Sequence, residues 1–355
     1  MQKYSFLTQI LNKQFLGDGE ILDYSIKRIQ KNSYNIELEQ CNYVFITGLA
    51  RSGTTALLNF LDKTNKFSSL RYKYMPFILM PKIAQIFSKL FMNNNKNVIS
   101  ERLHGDGILI GQSSPECLDE PFWINTIYKK NLNNNFMSPH SIDSDLARSY
   151  GYLLNKYALI ENKKRMLIKN NNSHLRLLST SSYFPNSKFL VVFRSPIAQA
   201  ISLLNLHKRI SKFQLKDKYV LEYMNLIGHW EFGLGKKFFV YKKDQEKTLK
   251  SLNPEKINYW LMQWIFTYEW INNNLSDKKN IIFICYEQLC KDDNYKMNLF
   301  KLLNIKQENN LLKFKLGRSN NHKDLYEKEI SIKDLKKSEN IYSQLKKKSN
   351  FALNF

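Results

Sequence analysis

The chain of 355 residues carries 54 Lys and Arg against 31 Asp and Glu, a formal charge of +23, and 43% of its residues are hydrophobic. Because 23 Phe, 20 Tyr and 5 Trp supply many large apolar side chains, this composition excludes an intrinsically disordered chain and indicates a folded protein. The low content of 12 Gly and 8 Pro also excludes collagen-like and Pro-rich proteins.

The chain has no targeting or membrane pattern that we recognise. No run of about 18 uncharged apolar residues occurs, so no membrane-spanning helix is predicted, and the N-terminal stretch lacks the pattern of a signal peptide. The four cysteines form no CxxC pair and no zinc-type spacing with histidine, which predicts neither a disulfide framework nor a metal site. We therefore expect a reducing, cytoplasmic location.

The first predicted elements form half of a parallel α/β unit. Residues 1–40 have the apolar spacing of amphipathic helices. Residues 42–48 are β-branched and aromatic and end at glycine, which is typical of a buried strand. A loop over 49–55 and a helix over 56–61 follow. This order of strand, glycine-containing loop and helix predicts an α/β fold.

Three more strands follow later in the chain. Residues 165–169, 188–193 and 281–285 are short apolar runs with strand character. The second is followed by a predicted helix over 197–206 and the third by one over 289–303, whereas the Lys-rich stretch 212–218 favours an exposed loop.

We find no internal repeat and no interdomain linker, so the simplest organisation is one domain over 1–355, with a central parallel sheet flanked by helices. Within it we expect a helical N-terminal extension (1–40), a phosphate-loop unit (41–65), two helical insertions (71–140 and 207–260) and a basic helical C-terminal region (290–355).

The loop after the first strand has the glycine spacing of a nucleotide phosphate loop, G-x4-G, from Gly48 to Gly53. Such a loop directs successive backbone N–H groups toward one point at a helix N-terminus, where the helix dipole also favours an anion. The lysine of the ATP and GTP version would follow Gly53, but Thr54 stands there. Arg51 supplies a cation within the loop instead.

The residues at the ends of two later strands favour a nucleotide site that works without a metal ion. A magnesium-dependent site needs a carboxylate at the end of a neighbouring strand. Here the strand over 188–193 ends in Arg194 and the strand over 281–285 ends in Tyr286. The residues therefore predict a metal-independent site for a multiply anionic nucleotide, held by backbone amides, Arg51 and Arg194.

Two motifs resemble those of sulfotransferases that use 3'-phosphoadenylyl sulfate (PAPS), in the form seen in bacterial and tyrosylprotein-like members. Residues 46–55, with Arg-Ser-Gly-Thr-Thr, are similar to the 5'-phosphosulfate loop of this family. Arg194-Ser195-Pro196 with Ser202 is similar to its 3'-phosphate motif. Further similar stretches extend the resemblance over residues 43–289. It implies a P-loop-containing nucleotide hydrolase-like (sulfotransferase) fold with helical insertions.

The resemblance implies residue roles and a donor substrate, PAPS, with adenosine 3',5'-bisphosphate as product. Arg51 and Lys169, which ends a predicted strand, would be the cations at the transferred sulfuryl group. The expected donor-binding residues are Gly48, Arg51, Ser52, Gly53, Thr54, Thr55, Arg194, Ser202, Tyr286 and Ser319.

The resemblance does not identify the general base in this chain. Many cytosolic members have a His two positions beyond the strand-end lysine, where this chain has Asn171. A segment over 101–120 concentrates His and carboxylates around glycines and is similar to a stretch in bacterial members. Within it we favour His104 as the base, because an unperturbed imidazole titrates near neutrality, followed by Asp106 and Glu116.

Two other functions stay open at this point. A phosphate-loop nucleotide kinase is disfavoured by the missing lysine and carboxylate. A basic nucleic-acid-binding protein would fit the charge, but no reading motif occurs and we expect no nucleic-acid partner. The acceptor, whether glycan, lipid, small molecule or peptide, is not readable from the sequence, nor is the oligomeric state.

Overall fold

The computed structural model describes residues 5–17, 19–92, 99–129, 135–275, 278–306 and 326–350. Within these residues the strands are β1 (Val44–Thr47), β2 (Ser68–Ser69), β3 (Ser100–Glu101), β4 (Leu109–Ile110), β5 (Phe136–Met137), β6 (Met166–Lys169), β7 (Lys188–Phe193), β8 (Phe238–Phe239) and β9 (Ile281–Cys285). The helices are α1 (Phe6–Leu16), α2 (Glu20–Lys31), α3 (Thr54–Asp62), α4 (Pro81–Met92), α5 (Glu120–Trp123), α6 (Ser144–Ile160), α7 (Leu177–Tyr183), α8 (Pro196–Lys216), α9 (Lys218–Leu226), α10 (Lys243–Ser251), α11 (Ile257–Asn274), α12 (Tyr286–Lys291), α13 (Asp293–Leu302) and α14 (Ile332–Lys348).

Five strands form the central sheet, in the order β2-β6-β1-β7-β9, and each pairs in parallel with its neighbours. Its four longer strands are those predicted from the apolar runs. The edge strand β2 was missed, because two residues carry no readable periodicity. The sheet confirms the prediction of an α/β fold with a central parallel sheet flanked by helices.

Alternation along the strands divides the core between the two faces of the sheet. In β7, Phe189, Val191 and Phe193 join one buried cluster, whereas Leu190 and Val192 join the other. Because successive strand side chains point to opposite faces, strands that are apolar at every position need helices on both faces. This explains why the strand sequences read as continuous apolar runs.

Two predicted boundaries were wrong. The helix predicted over 289–303 is two helices, because Asp292 is extended and its carboxylate caps α13 by accepting hydrogen bonds from two backbone N–H groups. The loop predicted over 212–218 is mostly helix, since α8 continues to Lys216. Gln214 is buried there, which shows that tertiary packing stabilises the last turn of α8 despite its lysines.

Two small accessory sheets organise the long segments between the main strands. Strands β3 and β4 form an antiparallel pair that brackets residues 102–108. Strands β5 and β8 pair in parallel, which joins the segment before α6 to the residues that directly follow the loop over 227–237. Both accessory pairs therefore hold loops that lie between β1 and β6, or between β7 and β9, in sequence.

Helix α14 packs its apolar side against the domain. Ile341 and Leu345 are buried in the larger core cluster, and the Tyr342 hydroxyl donates a hydrogen bond of 3.1 Å to Glu287. Among the described residues, none of the helices combines the length and the apolar character required to cross a bilayer.

Candidate active site

The sheet register brings the predicted strand-end residues to one edge. Ile46 of β1 lies opposite Lys169, and Thr47 lies opposite Val191 in β7. Phe193, which precedes Arg194, lies opposite Cys285 of β9. In parallel sheets, ligands bind at the carboxyl ends of the strands, in the crevice where the chain leaves neighbouring strands in different directions. β1 lies between β6 and β7 at such a crevice.

The loop between β1 and α3 has a backbone that few residue types adopt. Gly48, Arg51 and Gly53 have φ angles of +139°, +70° and +106°. A Cβ on Gly48 would lie 2.2 Å from the Val192 carbonyl oxygen, and one on Gly53 would lie 2.2 Å from the Tyr286 ring. The loop therefore requires glycine at both ends, and it delivers its N–H groups to the N-terminus of α3.

Arg51 is fixed by two side-chain contacts. Its NH1 group lies 2.6 Å from Asp106, and its Nε donates a hydrogen bond of 3.1 Å to Ser202 on α8. Burial lowers the pKa of Arg51, and the Asp106 carboxylate opposes this shift. Ser202 thus connects the second sequence motif with the first.

Arg102 links the acidic residues of the same region. Its guanidinium contacts Asp106 at 2.6 Å and Glu116 at 3.4 Å, and donates to Thr55 at 3.3 Å. Burial alone would raise the pKa of Asp106, but Arg102 and Arg51 outweigh it and hold the pKa well below its usual range. Asp106 is therefore an anion that positions two arginines.

Lys169 and Glu116 form a buried ion pair at the end of β6. The Lys169 ammonium lies 3.0 Å from Glu116, and both side chains are 5% exposed or less. Burial opposes the ionised form of each group, but mutual attraction prevails and lowers the pKa of Glu116 while raising that of Lys169. The lysine is thus held as a cation at the sheet edge.

His104 lines a cavity together with Arg51, Glu116 and Lys169, and its surroundings disfavour the charged form of its ring. Its Nδ1 is buried and has no hydrogen-bond partner among the described residues, and its ring packs edge-on against Phe232. Burial, with Arg102 and Arg51 nearby, holds its pKa well below the ordinary value. The imidazole is therefore neutral near pH 7.

Arg194 lies on the other side of the loop. Its guanidinium carbon is 5.8 Å from the centre of the Tyr286 ring, which itself contacts Gly53. Glu287 accepts a hydrogen bond of 2.9 Å from the Ser195 backbone and fixes the turn after β7. Burial lowers the pKa of Arg194, and Glu287 opposes that shift.

A second loop, residues 227–237, contributes side chains that the sequence analysis missed. His229, Glu231 and Phe232 line a cavity of about 30 Å³ together with residues of the phosphate loop and the ion pairs. Asn171 donates a hydrogen bond of 2.8 Å to Glu231 and accepts one of 3.1 Å from Thr54. The available signal was a His and a Glu between Gly228 and Gly233, which is similar to the His and carboxylates near glycines around His104.

A comparison with protein families decides the affiliation of this chain. Residues 43–241 match the profile of the Sulfotransferase family. The chain belongs to this family. It is a sulfotransferase, a transferase enzyme, and the predicted family resemblance is confirmed.

Solved structures similar to this sulfotransferase include the sulfotransferase STF1 of Mycobacterium tuberculosis H37Rv, with 11% identity, a TM-score of 0.39, and coverage of 95% of this chain and 90% of that one. Another is the sulfotransferase STF9 of Mycobacterium avium, with 13% identity, a TM-score of 0.30, and coverage of 74% and 75%. No curated protein matches the chain.

The sulfotransferase brings most of its predicted site residues together. One connected cavity and hydrogen-bond network contains Arg51, Thr54, Thr55, His104, Asp106, Glu116, Lys169 and Ser202. Gly48, Ser52 and Gly53 shape the loop, with the Ser52 side chain fully buried, and Arg194 and Tyr286 adjoin it. Ser319 lies outside the described residues.

Proposed function

We propose that this sulfotransferase moves a sulfuryl group from PAPS to a hydroxyl or amine acceptor, by in-line transfer without a metal ion. The observation that carries the proposal is that the phosphate loop with its Arg51, together with Lys169 and Arg194, lies at one edge of the sheet. PAPS carries a phosphosulfate and a 3'-phosphate, so it requires two anion sites on one nucleotide.

The residues present fit such a donor. The loop ends at the N-terminus of α3, where backbone N–H groups favour an anion, and the close packing of Gly48 against Val192 and of Gly53 against Tyr286 holds its backbone in place. Arg51 and Lys169 would face the phosphosulfate. Arg194 and Ser202 would hold the 3'-phosphate, and Tyr286, which lies beside Gly53 and Arg194, would lie near the nucleotide.

The chemical step needs charge stabilisation more than covalent catalysis. As the acceptor oxygen bonds to sulfur, the bond from sulfur to the bridging phosphate oxygen breaks, and adenosine 3',5'-bisphosphate leaves with the electron pair. Preorganised cations next to the bridging and sulfuryl oxygens stabilise the charge that develops there. Glu116 accepts one hydrogen bond from Lys169, and an ammonium group has three N–H donors.

We propose that the two long insertions form the acceptor side. Arg102 and His104 come from the first, and His229, Glu231 and Phe232 come from the second, and all line the cavity beside Lys169.

A cytoplasmic location stays a prediction; the four cysteines are free in the structure.

The proposal is tested with labelled PAPS and a panel of glycan, lipid, phenol and peptide acceptors, in the presence of excess chelator. We expect transfer to at least one acceptor, and thermal stabilisation by adenosine 3',5'-bisphosphate. Lys169→Ala should lower the transfer rate by about 100-fold or more, because a preorganised cation is lost. Lys212→Ala, which removes an exposed lysine of α8, should leave the rate unchanged.

The alternatives give different results. Turnover that requires magnesium and ATP would indicate a kinase. Binding to DNA or RNA that weakens steeply with salt, without stabilisation by the bisphosphate, would indicate a nucleic-acid-binding protein.

A further inference from the structure

Glu231 is a buried carboxylate of which one oxygen lacks a protein partner within the part of the chain that the structure describes. The residue is 7% exposed, and its Oε2 has no hydrogen-bond partner among the described residues. It lines the cavity that also contains Lys169 and Arg51. A buried carboxylate oxygen without a partner is costly, so its retention points to a ligand group that donates to it.

The position of Glu231 is fixed from several sides. Asn171 Nδ2 donates 2.8 Å to its Oε1, and the neighbouring Trp230 and Phe232 side chains are each 3% exposed. The Gly228 carbonyl accepts a hydrogen bond of 3.0 Å from Asn172, which anchors the start of the loop. The carboxylate is therefore preorganised, with Oε1 held by Asn171 and Oε2 without a hydrogen-bond partner among the described residues.

Glu116, which lines the cavity, and Asp106, which contacts two of its arginines, are both occupied as ion-pair partners. Glu116 contacts Lys169 and Arg102, and Asp106 contacts Arg102 and Arg51. Each is needed to hold cations and is a weak base while it does so. Burial, together with two nearby arginines, lowers the pKa of His104, and a proton on its ring would add a third positive charge there.

We propose that Glu231 is the general base for sulfuryl transfer to a hydroxyl acceptor, with Asn171 as its positioning residue. This assignment rests on the proposed function. The acceptor O–H proton moves to Glu231 Oε2 while the acceptor oxygen bonds to sulfur, and the leaving bisphosphate takes the electron pair of the broken S–O bond. The hydrogen bonds from Thr54 to Asn171 and from Asn171 to Glu231 link the base to the phosphate loop.

The test compares acceptors that do and do not need a base. With labelled PAPS, Glu231→Gln should lower the rate with an aliphatic alcohol by about 100-fold or more, the usual contribution of a general base. With 4-nitrophenol, assayed where this phenol is already ionised, the loss should be below about 10-fold. A purely structural role would lower both rates equally, which would overturn the proposal.

Two further variants sharpen the assignment. Asn171→Ala should produce a smaller loss with the same selectivity for the alcohol, whereas Glu222→Gln, an exposed carboxylate on α9, should change neither rate. If His104→Gln shows the alcohol-selective loss and Glu231→Gln does not, His104 is the base and the proposal is wrong.

Failure of the proposed function gives a separate result. If the unmodified protein transfers nothing from PAPS to any acceptor or to water, and the bisphosphate does not stabilise it, the donor assignment is wrong and the base assignment falls with it. If the unmodified protein is active and Glu231→Gln matches it with the alcohol, the base assignment alone is overturned. Affinity of each variant for the bisphosphate, expected within about two-fold of the unmodified protein, shows that the fold is retained.

Discussion

The ion pairs of the site form a chain of alternating charge. Arg51, Arg102 and Lys169 are held by Asp106 and Glu116, so three cations meet two anions in a region largely shielded from water. Buried charges are stable only when they are paired and hydrogen-bonded. The two carboxylates thus keep the cations in place before an anionic donor arrives.

We expect the stability of the protein to depend on the Glu116 carboxylate. Glu116→Gln should lower the free energy of unfolding by about 3 kcal/mol near neutral pH, because it leaves the buried Lys169 ammonium without its counter-charge. Chemical denaturation monitored by fluorescence would measure this loss. Glu222→Gln, whose partner Lys13 is exposed, should cost less than about 1 kcal/mol.

The loss of stability in Glu116→Gln should depend on pH. The folded state lowers the pKa of Glu116 from 4.5, so the stabilisation is fully present above pH 4.5 and is lost as pH falls toward the folded value. The difference between the two proteins should therefore shrink below about pH 4.5. A difference that stays constant down to acid unfolding would show that Glu116 is not ionised in the folded protein.

At the scale of elements, the phosphate loop is determined by its backbone conformation. Its two glycines have positive φ angles and no space for a Cβ, and Arg51 adopts the left-handed region between them. Strained conformations of this kind persist where the surrounding structure imposes them, often at ligand sites. The tight packing of the loop against Val192 and Tyr286 supplies that constraint.

Gly48→Ala tests this constraint. A methyl group 2.2 Å from the Val192 carbonyl oxygen must displace the loop, so we expect a stability loss of about 1–3 kcal/mol and loss of bisphosphate binding. Gly19→Ala is the matched control, since nothing lies within 4 Å of its Cβ position. Calorimetric titration with the bisphosphate distinguishes the two, and unchanged affinity in Gly48→Ala would contradict the assigned loop.

At the scale of the whole molecule, the C-terminal helix joins the core around the sheet. Leu345 is fully buried, and Tyr342 contacts Glu287, which holds the turn after β7. Helix α14 therefore has a structural role through its apolar face. The lysines at the end of α14 contribute to the +23 charge.

Leu345→Ala should shift one cooperative unfolding transition rather than create a separate one, as expected for a single domain. The cavity left in the core should cost about 3 kcal/mol. Leu159→Ala, at a leucine that is 69% exposed, should cost less than about 0.5 kcal/mol. Differential scanning calorimetry would measure both, and an additional early transition in Leu345→Ala would indicate that α14 melts independently.

Sequence alone predicted the four longer strands of the sheet and the residues that we propose for the donor side of the site, since both depend on local patterns. The apolar runs predicted the four longer strands, and parallel pairing places Lys169, Arg194 and the loop after Gly48 at one edge. Only the tertiary structure brought together the residues that we propose for the acceptor side. Asn171 contacts Glu231 across 60 positions, and Asp106 contacts Arg51 across 55. Loops without periodicity carry no local signal of their neighbours, because packing between distant segments places them.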